Sequence, residues 1–213
     1  MFEYINYVIA PLKIIKDKIF DYTFYYDGKD INEILGKTPR IFDRLSSAKQ
    51  CEYFFGEPTH IIDNIYLGSA FNAASFYKLK ELNIDLIINV TSEISEYYPD
   101  DFQYKKYNLY DNNKDTIDKY LDESYNEIEE YNKKNKENKN ILIHCFMGAS
   151  RSASIVIYYI LNKYGDKKDK IIKQIGMKEN FNDNDNKKDN LKINEIIEFI
   201  KNKRGVINPT EKL

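Results

Sequence analysis

The stretch that most constrains this chain runs from Ile141 to Ser152, Ile-Leu-Ile-His-Cys-Phe-Met-Gly-Ala-Ser-Arg-Ser. An apolar run stops at His144 and Cys145, a short segment containing Gly148 follows, and Arg151 opens a second apolar run that continues to Leu161. The pattern predicts a strand, a tight loop and a helix in direct succession. A loop ending on a helix N-terminus turns backbone N–H groups inward and adds the positive end of the helix dipole, so it suits a dianion. Cys145 sits at the bottom of that cradle. Amides, dipole and arginine all favour thiolate over thiol there, toward the range of about 3.5 to 7.5 found for activated cysteines. A nucleophile inside an anion-binding loop has the chemistry of phosphoryl transfer.

The elements around this stretch alternate between strand and helix. Residues 59–68 predict two short strands meeting at an Asp63-Asn64 turn, with a helix over about 70–82 behind them. Ile84 to Val90 is almost continuously apolar, as a parallel strand covered on both faces would be. Phe102 to Tyr110 predicts a further strand. Ile117, Leu121, Tyr125, Ile128 and Tyr131 then mark one face of a helix with Asp115 or Thr116 as its N-cap, closed by a solvated loop over 133–140. Ile155 to Leu161 is apolar all round, predicting a buried helix that stops at Gly165. Short helical spacing follows over 167–175, then a polar linker over 176–190 and a last helix over Leu191 to Lys203.

This order predicts an α/β fold, with a central, mostly parallel sheet of about five strands flanked by helices. The chain divides into an N-terminal extension over 1–57 and a catalytic domain over 58–213, with 176–190 as an insertion. The extension is largely helical by its spacing at Leu12, Ile15 and Ile19. It is read as docking on its own domain, as a homodimer or partner contact, or as disordered.

Composition narrows the partners. The 213 residues are 31% charged with a net charge of −2, so no basic excess invites nucleic acid or an anionic membrane surface. The two cysteines, Cys51 and Cys145, are far apart and outside any CxxC pair, which fits a reducing compartment and neither a disulfide framework nor structural zinc. The acidic and aromatic start is unlike a secretory signal, and the longest apolar stretch near it is broken by Pro11, Lys13, Lys16, Asp17 and Lys18, so it is not expected to span a membrane. An intracellular, cytoplasmic setting is expected, with the nucleus left open. The run Asn182 to Asn186 lacks the glycine and glutamate spacing of a calcium loop. No metal and no cofactor are expected.

His144-Cys145, five residues, then Arg151-Ser152 resembles the signature loop of cysteine-dependent protein tyrosine phosphatases. Gly148 and Ser152 make it most similar to the dual-specificity branch, and the resemblance covers roughly residues 58–209. The end of the last helix, Lys203 to Pro209, is similar to the family's Arg-Pro…Pro-Asn ending, with Gly205 and Thr210 in place of the proline and asparagine. The resemblance implies that Cys145 attacks phosphorus and becomes a phosphocysteine, while Arg151 holds two phosphate oxygens through its planar fork. The amides of Phe146, Met147, Gly148, Ala149, Ser150 and Arg151 form the phosphate cradle. Ser152 donates to the sulfur, and His144 orients the loop and tunes the thiolate.

The leaving oxygen needs a proton from a carboxylic acid on another loop. Asp115 reads as a helix cap and Asp118 as a first-turn residue favoured by the dipole. Asp111 has neither role and stands where the family carries its general acid. The resemblance implies a phosphorylated protein as substrate. A phosphoinositide or RNA 5′-phosphatase is the alternative enzyme, and a catalytically weak phosphoprotein-binding module the alternative from another class. Phe146, Met147, Ala149 and Ser150 are uncharged, which weighs against several phosphates at once.

Overall fold

The computed structural model describes residues 48–110, 117–135, 139–164 and 188–209. The expected helices before residue 48, Asp111, Asp115, Gly165, the helix at 167–175 and most of the linker lie outside the described residues.

Asp63 and Asn64 interrupt two apolar runs, and there the chain turns between β1 (Thr59–Ile62) and β2 (Ile65–Gly68), an antiparallel pair. Asp63 takes φ 49°, a left-handed conformation that aspartate tolerates better than branched residues. Its carbonyl meets His60 Nε2 at 2.7 Å, so that histidine braces the turn. Strands β3 (Ile84–Asn89), β4 (Gln103–Lys106) and β5 (Asn140–His144) complete a five-stranded sheet in the order β1-β2-β5-β3-β4. All pairings except β1–β2 are parallel. The expected α/β sheet is thus present, with β5 paired along both edges.

The helices are α1 (Ala48–Phe55), α2 (Ala70–Ala74), α3 (Phe76–Glu81), α4 (Asp118–Lys134), α5 (Arg151–Tyr164) and α6 (Lys188–Lys203). Successive strand residues point to opposite faces. Ile141 and Ile143 of β5, with Leu86 and Ile88 of β3, accordingly pack with α4, α5 and α6, whereas Leu142 and Ile87 pack with Leu79 of α3 and Ala73 of α2. Helix α5 is buried on nearly every side, as its apolar sequence requires. The α4 face is Ile117, Leu121, Ser124, Ile128 and Tyr131, with Tyr125 half-buried beside it.

Several boundaries differ from the sequence reading. The helix expected over 70–82 is two helices broken at Ser75, whose hydroxyl donates back to the Phe71 carbonyl at 2.8 Å. Such back-bonding competes with the helical ladder. The strand expected from Phe102 to Tyr110 pairs only over Gln103–Lys106, because β3 offers Leu86 to Asn89 as partners and then ends. Lys133 and Lys134 continue α4, Asn140 begins β5, and α6 starts at Lys188, three residues inside the expected linker. Helix α1, the described part of the extension, packs Cys51 and Phe54 against Ala70, Ile94 and Phe146.

Ile143 is fully buried in the central strand. Ile143→Ala is expected to cost about 2–5 kcal/mol, seen in urea unfolding as a lower midpoint with an unchanged slope.

Candidate active site

Strand β5 delivers Cys145 at its carboxyl end, and the six residues from Cys145 to Ser150 carry the chain into α5. The Ser150 carbonyl accepts the first bond of that helix, from the Ser154 amide at 2.9 Å, so Arg151 and Ser152 stand in its first turn. Gly148 makes the loop tight. It takes φ 67°, and a Cβ there would lie 2.4 Å from the Gly68 carbonyl oxygen. The sulfur of Cys145 accepts from the Gly148 amide at 3.3 Å and from the Ser152 hydroxyl at 3.2 Å. Burial by itself pushes this thiol up. The Arg151 charge, the Ser152 hydroxyl and the amides of Ser152 and Ala149 outweigh it, and the thiol is lowered overall.

Arg151 is buried and held from two directions. Its Nη1 and Nη2 donate to Glu93 Oε2 and Oε1 at 3.0 and 2.7 Å, and Nη1 also donates to the Leu109 carbonyl at 2.9 Å. A cation at a helix N-terminus runs against the dipole, so these acceptors are what make the placement tolerable. Burial pushes the Glu93 carboxyl up, but the hydrogen bonds and charge of Arg151 more than reverse this and keep it ionised. A buried network shapes the turn that presents Glu93. Thr91 Oγ1 donates to Asn89 Oδ1 and accepts from the Ile94 amide, while Asn89 Nδ2 donates to the Ile94 carbonyl.

His144 is buried with Nδ1 facing the Cys145 carbonyl at 3.3 Å. A carbonyl only accepts, so Nδ1 carries the proton. Nε2 has no partner among the described residues. Burial, aided by the Arg151 and Lys106 charges, pushes this imidazole down to about 4, which keeps it neutral near pH 7.

The structure therefore brings His144, Cys145, the loop residues 146–150, Arg151 and Ser152 together; Asp111 lies outside the described residues. Two residues that the sequence reading missed join them. Glu93 follows the predicted strand at its carboxyl end, where residues of parallel sheets gather around ligands, and that position was the available signal. Arg204, at the end of α6, lies behind the loop with Nε 2.9 Å from the Gly148 carbonyl oxygen. Its place in the family-like ending was visible, but nothing in the sequence aimed it at the loop.

Residues 65–188 match the family described as "Dual specificity phosphatase, catalytic domain". The chain belongs to that family. Among its relatives, it is 38% identical over 107 residues to Protein phosphatase Slingshot of Drosophila melanogaster, a match spanning 50% of this chain and 10% of that protein. It is 35% identical over 108 residues to Dual specificity protein phosphatase 1 of Arabidopsis thaliana, covering 51% of this chain and 53% of that one. A crystal structure of DUSP15 shares the fold with a TM-score of 0.56 at 23% identity, over 73% of this chain and 81% of the other. The matches thus span between a tenth and about half of these two relatives' lengths.

A histidine whose pKa is lower folded than unfolded contributes its full stability above the unfolded value of 6.5, and that contribution is lost as pH falls toward about 4. For His144 the loss approaches about 3 kcal/mol. Urea unfolding across this pH range is expected to show a steeper decline for the natural protein than for His144→Asn; equal slopes would remove His144 as the cause.

Proposed function

We propose that this protein is a phosphatase that removes phosphate from tyrosine and from serine or threonine side chains of phosphorylated proteins through a phosphocysteine. One observation carries this reading: the Cys145 sulfur, its thiol lowered, lies under the Gly148 amide and Ser152 hydroxyl beside a buried arginine held by Glu93. Membership of the dual-specificity family supports it.

In the first step the Cys145 thiolate attacks phosphorus, an S–P bond forms and the P–O bond to the side chain breaks. Asp111 protonates the departing oxygen. The sequence carries this assignment, and the anchoring of the Leu109 carbonyl on Arg151, two residues before Asp111, supports it. Arg151 and the loop amides hold the equatorial oxygens as charge redistributes, a preorganised electrostatic contribution. In the second step Asp111 takes a proton from water, the hydroxide oxygen bonds to phosphorus, and the S–P bond breaks. Ser152 stabilises the departing thiolate by the hydrogen bond it already makes.

Arg151 is the one charged residue between Phe146 and Ser152. That composition suits a single phosphate on a protein side chain better than a polyphosphorylated lipid head or an RNA end. Among the described residues no helix is long and apolar enough to cross a membrane.

Cys145→Ser is expected to abolish hydrolysis of p-nitrophenyl phosphate while retaining phosphopeptide binding, whereas turnover by that variant would defeat the phosphocysteine. Asp111→Asn is expected to slow alkyl phosphates about 10²-fold and p-nitrophenyl phosphate far less, because only the poor leaving group needs its proton. Equal slowing would remove Asp111 from the role. Side-by-side assay on phosphopeptides, phosphoinositides and 5′-phosphorylated RNA should favour the peptides, and faster turnover of either other class overturns the substrate assignment.

A further inference from the structure

Four consecutive carbonyls of the phosphate loop are held from outside it. The Phe146 oxygen accepts from the Ala70 amide at 3.0 Å, and the Ala149 oxygen from the Asn208 amide at 2.7 Å. Between them, the Met147 and Gly148 oxygens accept from one guanidinium, Arg204, through Nη2 at 3.2 Å and Nε at 2.9 Å. The described peptide bonds are trans, and across a trans peptide the N–H points away from the C=O. A carbonyl drawn outward therefore aims the next residue's amide inward. For Gly148 and Ala149 that aim is set by Arg204, and both amides bear on the sulfur: the first lies 3.3 Å from it and the second helps to lower the thiol.

Arg204 is completely buried at the end of α6. Its Nη1 donates to Thr59 Oγ1 at 3.1 Å, and Nη2 also donates to the Tyr53 carbonyl at 3.0 Å, with the Tyr53 ring 5.3 Å away. No carboxylate pairs with it among the described residues, and its bonded partners are neutral oxygens. Burying a cation in such company is costly. What the charge faces accounts for its place there: the back of the loop, and through it the sulfur of Cys145, whose negative form favours the cation.

We infer that Arg204 is a positioning residue for the chemistry at Cys145, one guanidinium that directs two loop amides and, through the Tyr53 carbonyl, makes α1 part of the support. Both Arg204 and α1 lie outside the residues matched to the family, 65–188. The inference rests on the phosphatase reading of the loop.

The test is Arg204→Lys in the full chain, which keeps the charge but not the planar fork that spans two carbonyls. Alkylation of Cys145 by iodoacetamide is followed against pH by mass spectrometry of its peptide, together with protection by tungstate; neither readout requires turnover. The thiol titration is expected to move to higher pH, tungstate protection to weaken about tenfold, and kcat/KM to fall on the order of 10²-fold, with cooperative urea unfolding retained. A folded variant with unchanged titration and unchanged tungstate affinity overturns the inference. If Arg204→Lys does not fold, Thr59→Val removes one acceptor of the guanidinium and is read the same way, with an effect of about threefold expected; no change there overturns it equally. A natural protein that neither binds tungstate nor hydrolyses p-nitrophenyl phosphate would defeat the phosphatase reading instead, while the thiol titration would still judge Arg204.

Discussion

Strand β5 is hydrogen-bonded along both edges, and its parallel neighbours finish level with it: Gly68 of β2 and Asn89 of β3 both stand opposite His144. Three chain segments therefore leave the sheet side by side. One becomes the loop from Cys145, one enters α2 under the Ser69 cap, and one makes the turn that carries Glu93. The parallel pairing is what collects these parts, since crossovers bring each strand back in the same direction and pile up the carboxyl ends. The collection is close enough that side chains would obstruct it. A Cβ at Gly68 would lie 2.9 Å from Leu142 Cδ1, and one at Gly148 would meet both the Gly68 carbonyl and Arg204.

Within that frame the site sets unfavourable placements against one another. The sulfur is buried, which disfavours charge, and Arg151 sits at the end of a helix whose dipole repels it. Each corrects the other. The cation favours the thiolate, and Glu93 together with the Leu109 carbonyl holds the cation where the dipole alone would expel it. Loss of any one member leaves another group buried without its partner, so the cluster is expected to behave as a unit rather than as a set of separable contacts.

Much of this was legible in the sequence, for identifiable reasons. The strand, loop and helix around Cys145 announce themselves because a run of Ile141 to Ile143 and a run of Ile155 to Ile160 must both be covered, with a glycine and an arginine fixed between them. The α/β alternation and the α4 face followed from apolar spacing alone. What failed to show was anything decided by a partner. Ser75 breaks a helix because its hydroxyl prefers the Phe71 carbonyl, and β4 stops where β3 runs out. Glu93 and the contact of Arg204 with the loop did not show in the sequence, because a charged side chain carries no periodic signature of its destination; Arg204 was visible only as part of the family-like ending. Cys51, the second cysteine, is buried beside Phe54 and Phe146.

The burial of Arg204 alters how the loop must attract its ligand. Among the described residues, four full charges bear on the loop: the Cys145 thiolate and Glu93 on one side, Arg151 and Arg204 on the other. They cancel. At a distance these four groups present no net monopole to a dianion, and the pull at contact range comes from the Arg151 guanidinium, the oriented amides and the start of α5. Dipoles fixed in a buried wall act over a few ångströms and are poorly reached by mobile ions, whereas attraction between net charges is screened over about 8 Å at physiological ionic strength. Anion binding by such a loop would accordingly be governed by short-range geometry, and long-range steering of a large substrate would come from surfaces elsewhere on the protein.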